Sequence, residues 1–293
     1  MDGVIVLDKP TGISSHDAVQ KMRRLTGVRR IGHLGTLDPL GSGVLPMVIG
    51  KATRLSQFYL GHDREYVASV RFGFATSTYD SQGEQVGEAV EPALSADDVE
   101  QALCAFRGRI SQKPPPVSAK KVNGVPAYKL ARRHQEVDLQ PVELDIYELA
   151  LLRFEADVAQ IRMRTSAGAY VRSLAHDLGR ALGCGGHVTA LRRVAMGEFG
   201  LEQALSFEQL QDLADGGDIS NALVPAARLL PEFPAHRVDS VAITRIGHGM
   251  DFQITAFGDA ASARRIKALD SEGSLLAIAD IRLPRTYHPI IVF

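Results

Sequence analysis

The sequence predicts an α+β fold, on three observations. Apolar runs of strand character and segments of helical period are interleaved along the 293 residues, but no regular β-α-β repeat joins them, as a doubly wound parallel sheet would require. With 45% hydrophobic and 23% charged residues the composition is that of an ordinary globular protein. A change of texture falls at residues 225–234, where three prolines sit among polar residues. That stretch reads as a linker between a large first part and a short tail.

The elements follow from local pattern. Gly3 to Leu7 is an unbroken apolar run that stops at Asp8-Lys9-Pro10-Thr11-Gly12, a strand running into a turn. Ser14 or Ser15 caps a helix to about Leu25, with Ala18, Met22 and Leu25 on one face. A glycine-rich stretch, Gly32 to Gly43, is followed by apolar VLPMVIG and by a helix from about Ala52 to Leu60. Tyr66, Ala68, Val70 and Phe72 alternate with Val67, Ser69 and Arg71, which predicts a strand. Ser95 and Asp98 have capping-box spacing and open a helix to about Phe106. Strands are expected around 144–154 and 158–165, and a helix over 170–182 that Gly183 closes. From about Arg237 to Phe293, short strands and glycine turns suffice for a small β-rich module.

Net charge is −1, from 33 basic and 34 acidic residues, but the charges are segregated. Arg107 to Arg133 holds eight basic residues and no acidic one, within a proline-rich stretch that reads as an extended loop. Seven acidic residues gather between Asp80 and Glu100 and seven more between Glu198 and Glu232. Such a pattern gives a near-neutral protein one positive face suited to a polyanion, or else a set of solvated helix faces. Two distant cysteines, Cys104 and Cys184, support neither a disulfide framework nor a zinc knuckle. No stretch reaches the roughly 18 apolar residues of a membrane span, and the N-terminus lacks the features of a signal peptide. A cytoplasmic protein without membrane contact is expected.

The segment from Gly32 to Gly43, GHLGTLDPLGSG, carries the chemistry. Its four glycines permit close approach of something large to the backbone. Asp38, held extended by Pro39, is a candidate nucleophile, general base or metal ligand, or else the first residue of an Asx-turn. Neither G-x-x-x-x-G-K-[ST] nor G-x-G-x-x-G occurs, so no nucleotide-phosphate cradle is predicted.

Six separated strings, DKPTGISSHDAV, GHLGTLDPLGSGVLP, REYVASVRFG, PPPVSAKKVNGVPAYKLAR, AYVRSLAHDLG and HVTALRRVAMGEF, resemble in order the motifs of the bacterial pseudouridine-55 synthase family. The resemblance covers about residues 3–230 and departs at Gly41, where alanine is more usual, and at Gln140-Pro141, where a basic residue commonly follows the loop. It implies a mixed, largely antiparallel sheet flanked by helices and loops over a catalytic domain of residues 1–230. Residues 237–293 then correspond to a small PUA-like RNA-binding module.

The implied activity is isomerisation of uridine 55 in the T loop of tRNA, by cutting the N1–C1′ bond, rotating the uracil and rejoining it through C5. No cofactor and no metal are implied. By resemblance Asp38 is the catalytic carboxylate, acting by attack at C1′, attack at C6 or removal of the C2′ proton. Arg172 is its partner, and an ion pair there favours the ionised carboxylate. Tyr66 is placed to stack on the target base and to assist C5 deprotonation. Tyr170 contacts the flipped base, Leu191 floors the uracil, and His33 and Lys9 line the surroundings, with Asp80 a further candidate for the arginine network.

Lys113, Lys120, Lys121, Lys129, Arg132 and Arg133, in a loop spanning roughly 107–140, are the expected grip on phosphates. The partner implied is tRNA, through its T arm and, by the C-terminal module, its acceptor end, with no obligate protein partner. The alternatives are a non-catalytic tRNA-binding or chaperone protein and a metal-dependent hydrolase using His33 and Asp38.

Overall fold

A computed structural model describes residues 1–118, 120–122, 125–126, 139–254 and 263–293. The first part is built on one mixed sheet. Its strands are β1 (Gly3–Lys9), β2 (Ile31–His33), β3 (Gly41–Ile49), β4 (Arg64–Phe72), β5 (Gly108–Gln112), β6 (Val142–Glu155), β7 (Val158–Thr165) and β8 (Gly186–Met196). The order across the sheet is β1-β3-β8-β4-β7-β6-β5, with Val224–Pro225 beside β1. Among these pairings only β3 with β8 is parallel. Three helices matter for the site: α1 (Ser15–Thr26), α2 (Ala96–Cys104) and α3 (Val171–Ala181).

The apolar run at the N-terminus is continuous because β1 is covered on both faces. Ile5 and Leu7 join Leu45, Met47, Ala18 and Met22 in one core, while Val4 and Val6 join Val44 and Val48 in another. A strand buried on both sides has no polar face to alternate with. The second core also takes in Leu275, Ile278 and Ile291 from the C-terminal sheet. That sheet has five strands, ordered 235–237, 265–269, 275–283, 286–292 and 252–253.

α1 begins where Ser14 accepts from Asp17 N and Asp17 answers to the Ser14 backbone, and it ends at Gly27 in the left-handed region, φ 68°. Ser14 is therefore the cap, which leaves Ser15 for another task. The strands expected over 66–72, 144–154 and 158–165 and the helices over 95–106 and 170–182 are all present, within a few residues at their ends.

Four features differ from the sequence reading. The helix expected over 52–60 is a 3₁₀ helix, Gly50–Tyr59. The C-terminal module contains a helix as well as strands, Ser240–Gly247, capped by Asp239. The stretch expected as a linker is packed: Leu229 and Leu230 are buried in the second core. Strand β8 was not anticipated, and bulges between Val188 and Ala190 and between Arg193 and Ala195 explain why. Each extra residue reverses the in–out alternation, so GHVTALRRVAM shows no clean period of two.

Candidate active site

Asp38 lies on the loop between β2 and β3, and three separate elements fasten that loop. From α1, Ser15 Oγ donates to Leu37 O and accepts from Leu37 N, both at 2.8 Å. From the turn after β1, Gly12 N donates to Pro39 O at 2.8 Å. From β8, the Arg193 guanidinium donates to Gly35 O at 3.0 Å, Thr36 O at 3.3 Å and Val44 O at 2.7 Å. The carboxylate is thus carried on a backbone pinned on both sides, and its side chain keeps 33% of its surface open.

Arg172, in the first turn of α3, reaches back to this carboxylate. Its Nε is 2.8 Å from Asp38 Oδ2, and its Nη1 is 3.6 Å from Asp80 Oδ2. Nη1 also donates to Thr78 O at 3.2 Å. The Nε hydrogen is not well aligned on an acceptor, so the contact to Asp38 is chiefly one of charge. A cation at a helix N-terminus is electrostatically unfavourable by itself; two carboxylates offset that here. Asp80 is in turn fixed by Thr78 Oγ1 at 2.6 Å and Gln82 N at 3.1 Å. Tyr79, between them, has φ +64°, a conformation that costs energy for a bulky residue and marks a constrained turn.

A cavity of about 210 Å³ opens over Asp38, lined by Thr36, Leu37, Arg64, Tyr66, Tyr170, Arg172 and Leu191, among others. Drug-sized ligand sites run to roughly 300–1,000 Å³, so this one suits a single ring. Tyr66 enters from β4 and is only 6% exposed. Leu191 comes from the neighbouring strand β8, where it pairs with Ala68 and Gly41. Tyr170 caps α3, and its backbone is held in both directions by the buried Gln112 side chain, at 2.8 and 3.1 Å. Burial raises the Tyr170 phenol above its ordinary pKa.

Five of the expected residues, Asp38, Tyr66, Tyr170, Arg172 and Leu191, therefore line one cavity. Lys9 and His33 do not line it. Lys9 is fully buried beneath, donating to Pro10 O and Ile13 O at 2.8 Å each. Desolvation lowers its pKa to about 8, against the opposing pull of Asp38. His33 sits in β2 opposite Met47; burial lowers its pKa first, with Arg193 and His16 adding to the effect, so the charged form of the ring is disfavoured.

The glycines of the loop have a different purpose from the one expected. They admit the protein's own atoms. A Cβ on Gly43, where φ is +98°, would stand 2.2 Å from Arg193 O; on Gly35 it would meet Met196 at 3.1 Å; on Gly41, Leu37 at 2.9 Å. The close approach that these residues allow is to β8 and to the loop itself.

Of the basic residues expected to grip RNA, Lys129, Arg132 and Arg133 lie outside the described residues, and of Lys121 only the backbone is described. Lys113 is exposed, and its carbonyl accepts from Ser173 Oγ of α3 at 2.7 Å. Lys120 donates to Gln140 O at 3.2 Å. At the start of the segment Arg107 and Arg109 are ion-paired, with Glu100 and Glu143, so the basic run is partly neutralised by carboxylates that lie outside it. No group of three or more His, Cys, Asp or Glu that could hold a metal ion occurs among the described residues.

Residues 23–171 match the N-terminal domain model of the TruB family pseudouridylate synthases, and residues 172–230 match the tRNA pseudouridylate synthase B C-terminal domain. The chain belongs to the TruB family. Similar members include tRNA pseudouridine synthase B of Solibacter usitatus, 50% identical over 292 residues and the full length of both chains. The protein of the same name from Chromohalobacter salexigens is 40% identical over 90% of this chain and 85% of its own. Among solved structures, the crystal structure of a Cbf5-Nop10-Gar1 complex holds a chain 26% identical with a TM-score of 0.73, covering 99% of this chain and 84% of that one. An H/ACA RNP bound to a substrate RNA containing 2′-deoxyuridine matches with a TM-score of 0.74 at 24% identity over the same shares of the two chains, which shows a common fold.

Within this TruB framework the chain's mixed sheet, flanking helices and C-terminal β sheet are as the resemblance implied. Sequence reasoning missed three fasteners of the site: Arg193, Ser15 and Gln112. In the sequence Arg193 appears only within the string HVTALRRVAMGEF, with no task of its own. A signal existed in its spacing, since Leu191 and Arg193 are two apart and share a face once β8 is recognised as a strand. Ser15 and Gln112 act on backbone far away in sequence and carry no local mark.

Proposed function

We propose that this chain converts uridine 55 in the T loop of tRNA to pseudouridine, with Asp38 as the catalytic carboxylate. One observation carries the reading: Asp38 is paired with a buried arginine at 2.8 Å, at the foot of a ring-sized cavity walled by Tyr66, Tyr170 and Leu191. The similarity to proteins named tRNA pseudouridine synthase B supports tRNA as the substrate.

The reaction is a rearrangement within one nucleotide. The N1–C1′ bond breaks, C5 bonds to C1′, the C5 proton leaves and N1 is protonated, so no electrons or groups are exchanged with another molecule. Asp38 engages the ribose or the base during cleavage; attack at C1′, attack at C6 and removal of the C2′ proton all use the same carboxylate. Arg172 pairs with it at 2.8 Å from the buried side and leaves it aimed into the cavity. The ring of Tyr66 stacks on the uracil, and its hydroxyl serves the departing C5 proton. Leu191 forms an apolar floor on which the detached base turns.

Reaching this cavity requires the base to leave its stack, at a cost of a few kcal/mol. Contacts of the basic segment near 107–140 with phosphates offset that cost. Residues 1–230 then form the catalytic domain. Residues 237–293 are a PUA-like module directed toward the acceptor end, in a cytoplasmic enzyme with no obligate protein partner.

The test is release of tritium from a tRNA transcript labelled at C5 of uridine. The expected result is release from a single site, lost when the T loop is deleted. Tight binding of the transcript without any release would contradict the reading.

A further inference from the structure

Arg193 is, among the described residues, the largest side chain wholly withdrawn from solvent. Among the described residues it forms no ion pair with a carboxylate, and its hydrogen-bond partners are neutral: the carbonyls of Val44, Thr36 and Gly35, with the Tyr66 hydroxyl also reaching the guanidinium and the Asp38 charge acting on it from farther off. A buried cation hydrogen-bonded only to neutral groups is costly, and an apolar side chain of similar volume would be at least as stable in a core. What the guanidinium supplies is direction. Its planar fork fixes several acceptors at once, which no hydrocarbon and no ammonium does.

The acceptors belong to the two elements that carry the chemistry. Gly35 and Thr36 precede Asp38 by three and two residues, and Tyr66 is the ring in the cavity. In register, Arg193 of β8 stands between Gly43 of β3 and Tyr66 of β4, and Gly43 lies opposite the buried Lys9 of β1. The row Lys9–Gly43–Arg193–Tyr66 thus crosses four adjacent strands directly beneath the loop. Gly43 has no side chain because Arg193 O occupies the place of its Cβ, and Gly35 leaves the room in which Nη1 lies 3.5 Å from its own virtual Cβ. The preceding residue, Arg192, faces the other side of the sheet and pairs with Asp8 at 2.8 Å.

We propose that Arg193 is a positioning residue for the isomerisation: by holding the backbone ahead of Asp38 and the hydroxyl of Tyr66 in one frame, it sets the separation of carboxylate and ring. The inference rests on the reaction proposed above and deepens it. Arg193 acts through the loop backbone and the Tyr66 hydroxyl, on the rate of the bound complex rather than on RNA affinity.

The experiment compares wild type, Arg193→Met and Arg193→Lys. It reads single-turnover pseudouridine formation under saturating enzyme, the Kd for the same transcript, and folding by circular dichroism and thermal melting. Displacing a catalytic group by about 1 Å costs on the order of 100-fold in rate. That loss is expected for Arg193→Met, with Kd within about twofold of wild type. Arg193→Lys keeps the charge but loses the fork, so a loss of roughly 10-fold is expected, again without change in Kd. If Arg193→Met does not fold, the lysine variant decides.

A folded variant with wild-type single-turnover rate, a loss that appears in Kd alone, or failure of both variants to fold would each overturn the inference. A wild-type protein that binds the transcript and forms no pseudouridine would instead overturn the functional reading. Wild-type turnover alongside unimpaired variants would leave that reading intact.

Discussion

Arg172 stands between two carboxylates, 2.8 Å from Asp38 Oδ2 through Nε and 3.6 Å from Asp80 Oδ2 through Nη1. The arginine and Asp80 are each only 5% exposed at the side chain, whereas Asp38 is open to the cavity. One cation therefore serves two anions of different kind: Asp80 anchors it from behind, and Asp38 receives it at the front. Orientation and charge reach Asp38 from the buried side, and its open side is left for substrate.

Replacing Arg172 by methionine leaves Asp80 buried without its cation. A loss of about 2 kcal/mol in stability is expected, below the roughly 3–5 kcal/mol of a fully buried pair because Asp38 is partly solvated. The catalytic loss is larger, roughly 100-fold or more in single-turnover rate. Chemical denaturation and a single-turnover assay measure the two separately; equal stability and equal rate would show that the pair is incidental.

Tyr66 has two proposed tasks that substitutions separate. Tyr66→Phe keeps the ring and removes the hydroxyl, so product formation falls by about 100-fold, the lower range for a lost general acid or base, while RNA affinity is retained. Tyr66→Leu removes both ring and hydroxyl and falls further. If the phenylalanine variant matches wild type in a single turnover, the hydroxyl has no part in proton transfer.

Lys9 gives a stability signature with a definite sign. Burial lowers its pKa from 10.5 to about 8, so between these values the unfolded chain binds more protons than the folded one. The contribution of Lys9 therefore rises with pH across that window, by up to about 3 kcal/mol, and is constant below it. Melting curves of wild type and Lys9→Met, compared from pH 7 to pH 10, should show the difference shifting in favour of wild type as pH increases. A pH-independent difference would mean that the ammonium titrates at its ordinary value.

Gly43→Ala tests the close approach of β3 to β8. The added methyl would overlap Arg193 O at 2.2 Å, in a backbone conformation with φ +98°. Destabilisation above about 2 kcal/mol is expected from strain and forced displacement together, measured by denaturant titration. A near-neutral result would show that the two strands separate easily.

Much of this was legible in the sequence, for reasons that differ by element. α1 and α2 announce themselves through Ser14 with Asp17 and Ser95 with Asp98, since a capping box is a local signal. β4 shows a clean alternation because it is regular over Tyr66 to Phe72. β8 does not, because two bulges shift its period. The cavity residues Asp38, Tyr66, Tyr170, Arg172 and Leu191 were named by motif, but their convergence depends on a parallel pairing of β3 with β8 that no local pattern encodes. The same is true of Arg193. Its charge is visible in the sequence, whereas its burial follows from strands more than 100 residues away in sequence meeting β8 at Gly43 and Tyr66. The glycine-rich loop misled for a related reason: glycine reports that something comes close, without reporting what.

The most direct test is to map pseudouridine in an unmodified tRNA transcript by carbodiimide labelling and primer extension, after treatment with wild type and with Asp38→Asn. A single new stop at uridine 55, absent with the variant and unchanged by a chelator, is the expected result. Modification that persists with Asp38→Asn would remove the carboxylate from the chemistry, and a transcript left unmodified by the wild-type protein would contradict the isomerase itself.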